Sequence, residues 1–135
     1  MEKYKISVIV PTYNSGLFLN AFFDSMMYQS IGFENIEVIF VDDCSDDDYT
    51  VYLLNLFDEN FSNVKSVFLD KNNGFPGKGR NIGLNLANSE YVIFPTMMIH
   101  ILLKHLKLCI TLPVKIIRTC LSLIIIKFFR IRVNL

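Results

Sequence analysis

The sequence predicts an α/β domain in which a mostly parallel sheet is flanked by helices. Three observations carry that expectation. Short β-branched or aromatic runs alternate with stretches whose apolar residues recur at helical spacing. Strand and helix follow one another at a pace that calls for parallel crossover units. Each strand-like run also leads into a cluster of turn-forming or charged residues. Ligands of such sheets bind there, beyond the carboxyl ends of the strands.

Ile6 to Val10 is a β-branched run stopped by Pro11 and reads as a buried strand. After the turn Thr12-Tyr13-Asn14-Ser15-Gly16, Leu19, Phe22, Phe23, Met26 and Met27 mark a helix that ends before Gly32. Ile36 to Val41 is the second strand and runs into the acidic turn Asp42 to Asp48. Tyr52, Leu53, Leu56 and Phe57 indicate a second helix, and Val64 to Leu69 a third strand. The Gly-rich loop Asn72 to Gly79 comes next. A third helix then carries Ile82, Leu86 and Ala87, and Tyr91 to Phe94 is a fourth strand.

The chain has 135 residues, 52% of them hydrophobic, which is one domain's worth and too apolar for disorder. Its 13 basic and 13 acidic residues balance, which argues against a nucleic-acid partner. The charges are nonetheless sorted. Every acid lies between Glu2 and Glu90, with six bases among them, whereas seven bases and no acid follow Phe94. Residues 1–95 carry about −7 and residues 96–135 about +7. The three cysteines, Cys44, Cys109 and Cys120, form neither a disulfide framework nor a zinc pattern and fit a reducing, cytoplasmic setting. Lysines and arginines interrupt the apolar tail, so no run reaches the roughly 18 residues of a spanning helix.

Three clusters carry chemistry. Asp42 and Asp43 sit at the carboxyl edge of a strand, where a carboxylate can meet a base or ribose; Ser45 to Asp48 read as turn and capping residues. Neither Asp42 nor Asp46 starts an EF-hand, because the central Gly and the closing Glu are missing. In Asn72–Arg80, glycines would let backbone amides approach an anion, while Lys78 and Arg80 supply positive charge at a helix start. The loop lacks the P-loop pattern, and its glycines miss the dinucleotide spacing. Tyr13, in a turn and poorly placed for a core, is suited to stack on a base.

Three stretches in register closely resemble glycosyltransferase family 2. They are Ser7-Val8-Ile9-Val10-Pro11-Thr12-Tyr13-Asn14, Glu37 through Asp46, and Gly77-Lys78-Gly79-Arg80-Asn81-Ile82-Gly83. The resemblance spans Lys5 to Phe94, and the loop Asn72 to Asn81 looks most like that of enzymes building teichoic acids or surface polysaccharides. It implies the GT-A fold, a Rossmann-like α/β architecture, here truncated after the fourth strand. It also implies a nucleotide-diphosphate-sugar donor, expected to be a UDP-sugar. Pro11 and Tyr13 would line the base pocket and Asp43 would bind the base. Asn72 and Arg80 would lie near base and diphosphate, with Lys78 a phosphate contact. The intact family would use Mg²⁺ or Mn²⁺ and a glycan or polyol-phosphate acceptor at the inner membrane face. Cys44 stands where the family usually has Gly, and Asp46 where it often has Thr.

The departure that matters follows the fourth strand. The family places an Asp-x-Asp metal motif there, and this chain reads Pro95-Thr96-Met97-Met98-Ile99-His100. Hard cations need oxygen ligands, and thioethers do not replace them. These residues must be encoded CCN-ACN-ATG-ATG-ATH-CAY. Read from the last base of the proline codon, the same bases become NAC-NAT-GAT-GAT-HCA, which encodes Asp-Asp and, with G at that base, Asp-x-Asp-Asp. The expected organisation is therefore a nucleotide-sugar-binding half over residues 1–94 and a frameshift-like, non-native tail over 95–135. No metal is expected to bind this chain, and no catalytic residue is assigned to it. The alternative is a non-catalytic nucleotide-binding module whose basic tail associates peripherally with the membrane.

Overall fold

The computed structural model describes residues 3–95 and the strand 124–127. Strands β1 (Ile6–Thr12), β2 (Ile36–Asp42), β3 (Val64–Phe68) and β4 (Tyr91–Phe94) pair in parallel, and β5 (Ile124–Lys127) adds antiparallel to β4. The sheet order is β3-β2-β1-β4-β5. Three helices connect the parallel strands: α1 (Gly16–Met27), α2 (Asp48–Asn60) and α3 (Gly77–Leu86). The chain moves outward from β1 to β3 and then crosses back to place β4 on the other side of β1. That reversal is a topological switch point, and it gathers the loops after β1, β2 and β3 at one edge.

Alternation along the strands divides the core. Ile6, Val8, Val10, Val38 and Phe40 face α1 and α2, while Ile9, Ile39, Val41, Val92 and Phe94 face α3. Both faces of the central strands are covered, which is why they read as continuous apolar runs rather than alternating ones. The α1–α2 face is bound by aromatic packing: Phe23 stacks on Phe57 with centroids 4.0 Å apart, and Phe22 meets Phe40 edge-on at 6.1 Å. Offset-stacked and edge-to-face pairs are the favoured geometries for such rings.

The structure moves several expected boundaries. Pro11 does not stop β1, which continues to Thr12. The Thr12 carbonyl accepts from Asp43 N–H at 2.8 Å and so faces β2. By alternation the Pro11 nitrogen faces the β4 side, where pairing runs only from Ile6 to Val8, so no ladder bond is lost. The Gly-rich loop is shorter than expected because α3 already begins at Gly77. Asp47 begins α2, with its carboxylate accepting from the Tyr49 and Thr50 amides. The expected sheet ended at β4. The fifth strand is the β-branched run Ile124-Ile125-Ile126-Lys127, a sequence well suited to pairing. Residues 96–100, where the acidic motif is missing, lie outside the described residues. Among the described residues, no helix is long and apolar enough to cross a membrane.

At the opposite, amino-terminal end of the strands lies a buried polar network. The Glu37 carboxylate accepts from the Ser7 hydroxyl, and from the Asn88 backbone and side-chain amides at 2.8 Å each. Ser89 Oγ lies 2.6 Å from Ser7 Oγ and donates to the Tyr91 carbonyl at 2.8 Å. The turn before β4 is thereby tied to β1 and β2, and the buried carboxylate is supplied with donors.

Close packing of α3 on β1 depends on Gly83. A Cβ there would lie 2.3 Å from Ile9 Cγ2, on a buried strand side chain. Alanine gains about 1 kcal/mol in helix propensity, but overpacking a core costs about 1–3 kcal/mol. So severe a contact puts the cost at the upper end. Gly83→Ala is therefore expected to lower stability by about 1–2 kcal/mol in a urea titration. A stabilised variant would contradict this packing.

Candidate functional site

The loops after β1, β2 and β3 meet at the carboxyl edge of the sheet around a cavity of about 300 Å³. Four residues singled out in the sequence line it: Pro11, Tyr13, Asp43 and Asn72. Four others join them: Thr12, Gly74, Phe75 and Pro76. Tyr13 is 47% exposed, as a residue awaiting a planar partner would be.

The adjacent aspartates have different tasks. Asp42 is buried and its oxygens are consumed locally, accepting from Thr12 Oγ1 at 2.9 Å, Ser45 Oγ at 2.7 Å and Ser45 N–H at 2.8 Å. Asp43 turns into the cavity and grips the loop after β3. It accepts from the Asn73 amide at 2.9 and 3.0 Å, from Asn73 Nδ2 at 2.6 Å and from the Gly74 amide at 3.2 Å. The Asn73 side-chain bond lowers the Asp43 pKa most; burial opposes it, and the Asn73 and Gly74 amides and the charge of Lys78 add smaller lowering effects that leave the net shift downward. These donors make two contacts on each carboxylate oxygen, because the Asn73 amide is shared between Oδ1 and Oδ2.

Asn14 fixes the first loop to the second. Its Oδ1 accepts from the Asp46 and Asp47 amides at 3.1 and 3.2 Å, its Nδ2 donates to Asp46 Oδ1 at 2.6 Å, and its own amide donates to Ser45 Oγ at 2.8 Å. Tyr13, between Thr12 and Asn14, is thus held at both ends. Asn14 and Cys44 both adopt positive φ, 46° and 61°. Asn tolerates that region, whereas Cys pays a Cβ penalty there, and this explains why glycine is the family's usual residue at position 44.

Lys78 is exposed in the first turn of α3, its Nζ 3.3 Å from Asn73 Oδ1. Arg80 does not line the cavity. It is half-buried on α3, with its guanidinium 5.9 Å from the centroid of Phe94 at the end of β4. Its Nε is buried and has no hydrogen-bond partner. The structure therefore groups Pro11, Tyr13, Asp43 and Asn72 and sets Arg80 apart, toward β4. Among the described residues, no group of three or more His, Cys, Asp or Glu side chains could hold a metal ion.

Sequence reasoning passed over Asn14, Asn73 and Phe75. Phe75 carried the same signal as Tyr13, an aromatic residue inside a turn-rich segment. Asn73 carried none, because its role depends on facing Asp43 across 30 positions of chain.

Residues 7–96 match the family model described as glycosyl transferase family 2. The chain is 41% identical over 90 residues to the poly(ribitol-phosphate) beta-N-acetylglucosaminyltransferase TarS of Staphylococcus aureus, covering 67% of this chain and 15% of that protein. It superimposes on the crystal structure of S. aureus TarS 1-349 in complex with UDP-GlcNAc with a TM-score of 0.69 and 38% identity, over 76% of this chain and 29% of that one. A mannosyltransferase from Pyrobaculum calidifontis, in complex with GDP-Man and Mn²⁺, shares the fold at a TM-score of 0.60 and 24% identity, over 71% of this chain and 28% of that one. The chain thus spans a small part of each protein that it matches.

The lowered pKa of Asp43 has a sign. A carboxylate more acidic when folded contributes fully above its unfolded value and loses that contribution as pH falls through the folded one. The Asn73 and Gly74 amides are expected to stay protected from hydrogen exchange down to the usual carboxylate value of 3.8, and to be released only below it. Release above 3.8 would show that the Asp43 carboxylate does not hold the loop.

Proposed function

Since the chain belongs to glycosyltransferase family 2 and has its GT-A fold, we propose that residues 1–94 bind the nucleotide of a UDP-sugar. In the intact enzyme that donor's sugar would pass to a polyol-phosphate or related cell-surface glycan at the cytoplasmic face of the membrane. The observation that carries this reading is the cavity in which the Asp43 carboxylate, tied to its loop, is joined by Tyr13 and Pro11. The uracil of a nucleotide presents a single ring N–H, a donor that a carboxylate oxygen can accept. Tyr13 stacks on the base, and Asn72 lies at the cavity wall. The first turn of α3, with Lys78 and its unpaired amides, stands ready for the diphosphate. Arg80 would act on the β4 side, nearer the diphosphate than the base.

The chemical step exchanges a sugar–phosphate bond for a sugar–acceptor bond, and a base takes the acceptor's proton. A divalent cation, when bound, neutralises the leaving diphosphate. The residues present do not suit such an ion. Asp42 is spent on Thr12 and Ser45, Asp43 is spent largely on Asn73, and the sequence after β4 offers Thr96, Met97 and Met98. In this reading residues 95–135 are a frameshifted segment, the 135-residue chain turns over no donor, and the shifted frame carries the missing aspartates. Sequencing the underlying DNA tests that directly, since an intact family sequence in the shifted register is expected downstream.

Two measurements check the binding reading. In calorimetric titrations UDP should bind the 135-residue chain, and Asp43→Ala should weaken it by about tenfold or more, the scale of a hydrogen bond to a charged group. Glu59→Ala, on the exposed far end of α2, should leave affinity unchanged. Equal losses in the two variants would remove Asp43 from the site. Mn²⁺ should alter neither UDP affinity nor donor hydrolysis by this chain, whereas restoring the frame after Phe94 with its downstream sequence should bring metal-dependent turnover. Metal-dependent turnover by the 135-residue chain itself would overturn the frameshift account.

A further inference from the structure

We infer that Phe75 is a second aromatic wall of the base site, so that a pyrimidine held by Asp43 is clamped between Tyr13 and Phe75. The inference rests on the base-binding reading above and adds to it a residue that discriminates planar ligands. Sheet order supplies the first argument. Because β2 lies between β1 and β3, the turn bearing Asp43 lies between the loops bearing Tyr13 and Phe75. Both aromatics line the same cavity. A base whose edge meets Asp43 therefore enters with one ring-bearing loop on either side.

The second argument is that Phe75 is exposed yet held. It leaves 64% of its surface to solvent, a costly position for a phenyl ring. The loop beneath it is nonetheless built with care. Asp43 grips Asn73 and Gly74, Asn72 Oδ1 accepts from the Gly74 amide at 2.7 Å, and Gly74 takes φ +77° in open space. The ring itself rests against the start of α3. A Cβ at position 77 would lie 3.1 Å from Phe75 Cε2 and 3.2 Å from Cδ2, so the absence of a side chain at Gly77 lets the ring lie down there. One side of the ring is supported by the helix, while the residue borders the cavity. Such a platform recognises a flat aromatic ligand and offers nothing to a phosphate or a pyranose hydroxyl.

The chain contains no tryptophan, so Phe75→Trp installs a single tryptophan at the site, whose emission can be excited selectively over that of the tyrosines. UDP is expected to quench its emission, and inorganic pyrophosphate at the same concentration to leave it unchanged. By calorimetry, Phe75→Ala should bind UDP about tenfold more weakly, the scale of one base–aromatic stack. Phe75→Tyr should retain wild-type affinity, and the thermal midpoint of Phe75→Ala should match wild type because the ring covers little of the core. Wild-type affinity in Phe75→Ala, with Asp43→Ala still impaired, would overturn the clamp and leave the base pocket standing. Quenching by pyrophosphate equal to that by UDP would overturn it as well. Failure of the wild-type chain to bind UDP would overturn the base pocket, and the clamp with it.

Discussion

The carboxylate of Asp43, accepting from Asn73 and Gly74, joins the loops that make the site. The first two loops are tied to each other through Thr12 with Asp42 and through Asn14 with Asp46 and Asp47, while the third is anchored by the pairing of β3 with β2. Without the Asp43 contacts the third loop would have fewer ties to the other two, and the cavity wall carrying Asn72 and Phe75 would stand less firmly. The contacts are charge-assisted, from two backbone amides and one side-chain amide, and hydrogen bonds of this class are stronger than neutral ones. In the proposed reading the same group builds the wall and reads the ligand, which couples the two tasks. A ligand that meets Asp43 meets an already ordered carboxylate, and ordering that would otherwise oppose binding is done in advance.

This arrangement explains a division of labour between neighbouring acids that the sequence presents as equivalent. Asp42 and Asp43 both follow an apolar strand, but alternation sends one inward and one toward the cavity. The inward residue meets Thr12 and Ser45 and becomes part of the scaffold. The outward one borders the cavity and ties down the third loop. Asp47, in the same acidic run, caps α2, and the Thr50 hydroxyl and the Tyr49 and Thr50 amides lower its pKa. Three carboxylates within six positions thus do three different things, and backbone geometry alone separates them.

The parallel sheet, its helices and the edge where the loops gather were legible in the sequence because local periodicity encodes them. Pro11, Tyr13, Asp43 and Asn72 were legible as a group because their motifs fall at successive strand ends. What was hidden depends on contacts distant in sequence. The buried network around Glu37 depends on Ser7 and Asn88, 30 and 51 positions away. The need for glycine at position 83 depends on Ile9 lying against it. Arg80 carries the motif's expectation of the nucleotide, and its place outside the cavity, with its guanidinium by Phe94, depends on contact with β4, later in the chain. The continuation of β1 through Pro11 was hidden because it depends on how far β4 pairs, which no local signal announces. The strand at Ile124–Lys127 falls in a segment read as non-native, where a β-branched run retains its pairing preference whatever its origin.

The central claim is that the nucleotide enters at the Asp43-tied edge of the sheet. Backbone amide shifts recorded by NMR during a UDP titration test it most directly. The account predicts that the largest changes fall on Thr12–Asn14, Asp43–Cys44 and Asn72–Phe75, with Ser7, Glu37 and Asn88 at the opposite end of the strands unmoved. Changes concentrated around Glu37 and Asn88, with the Asp43 loop silent, would contradict it.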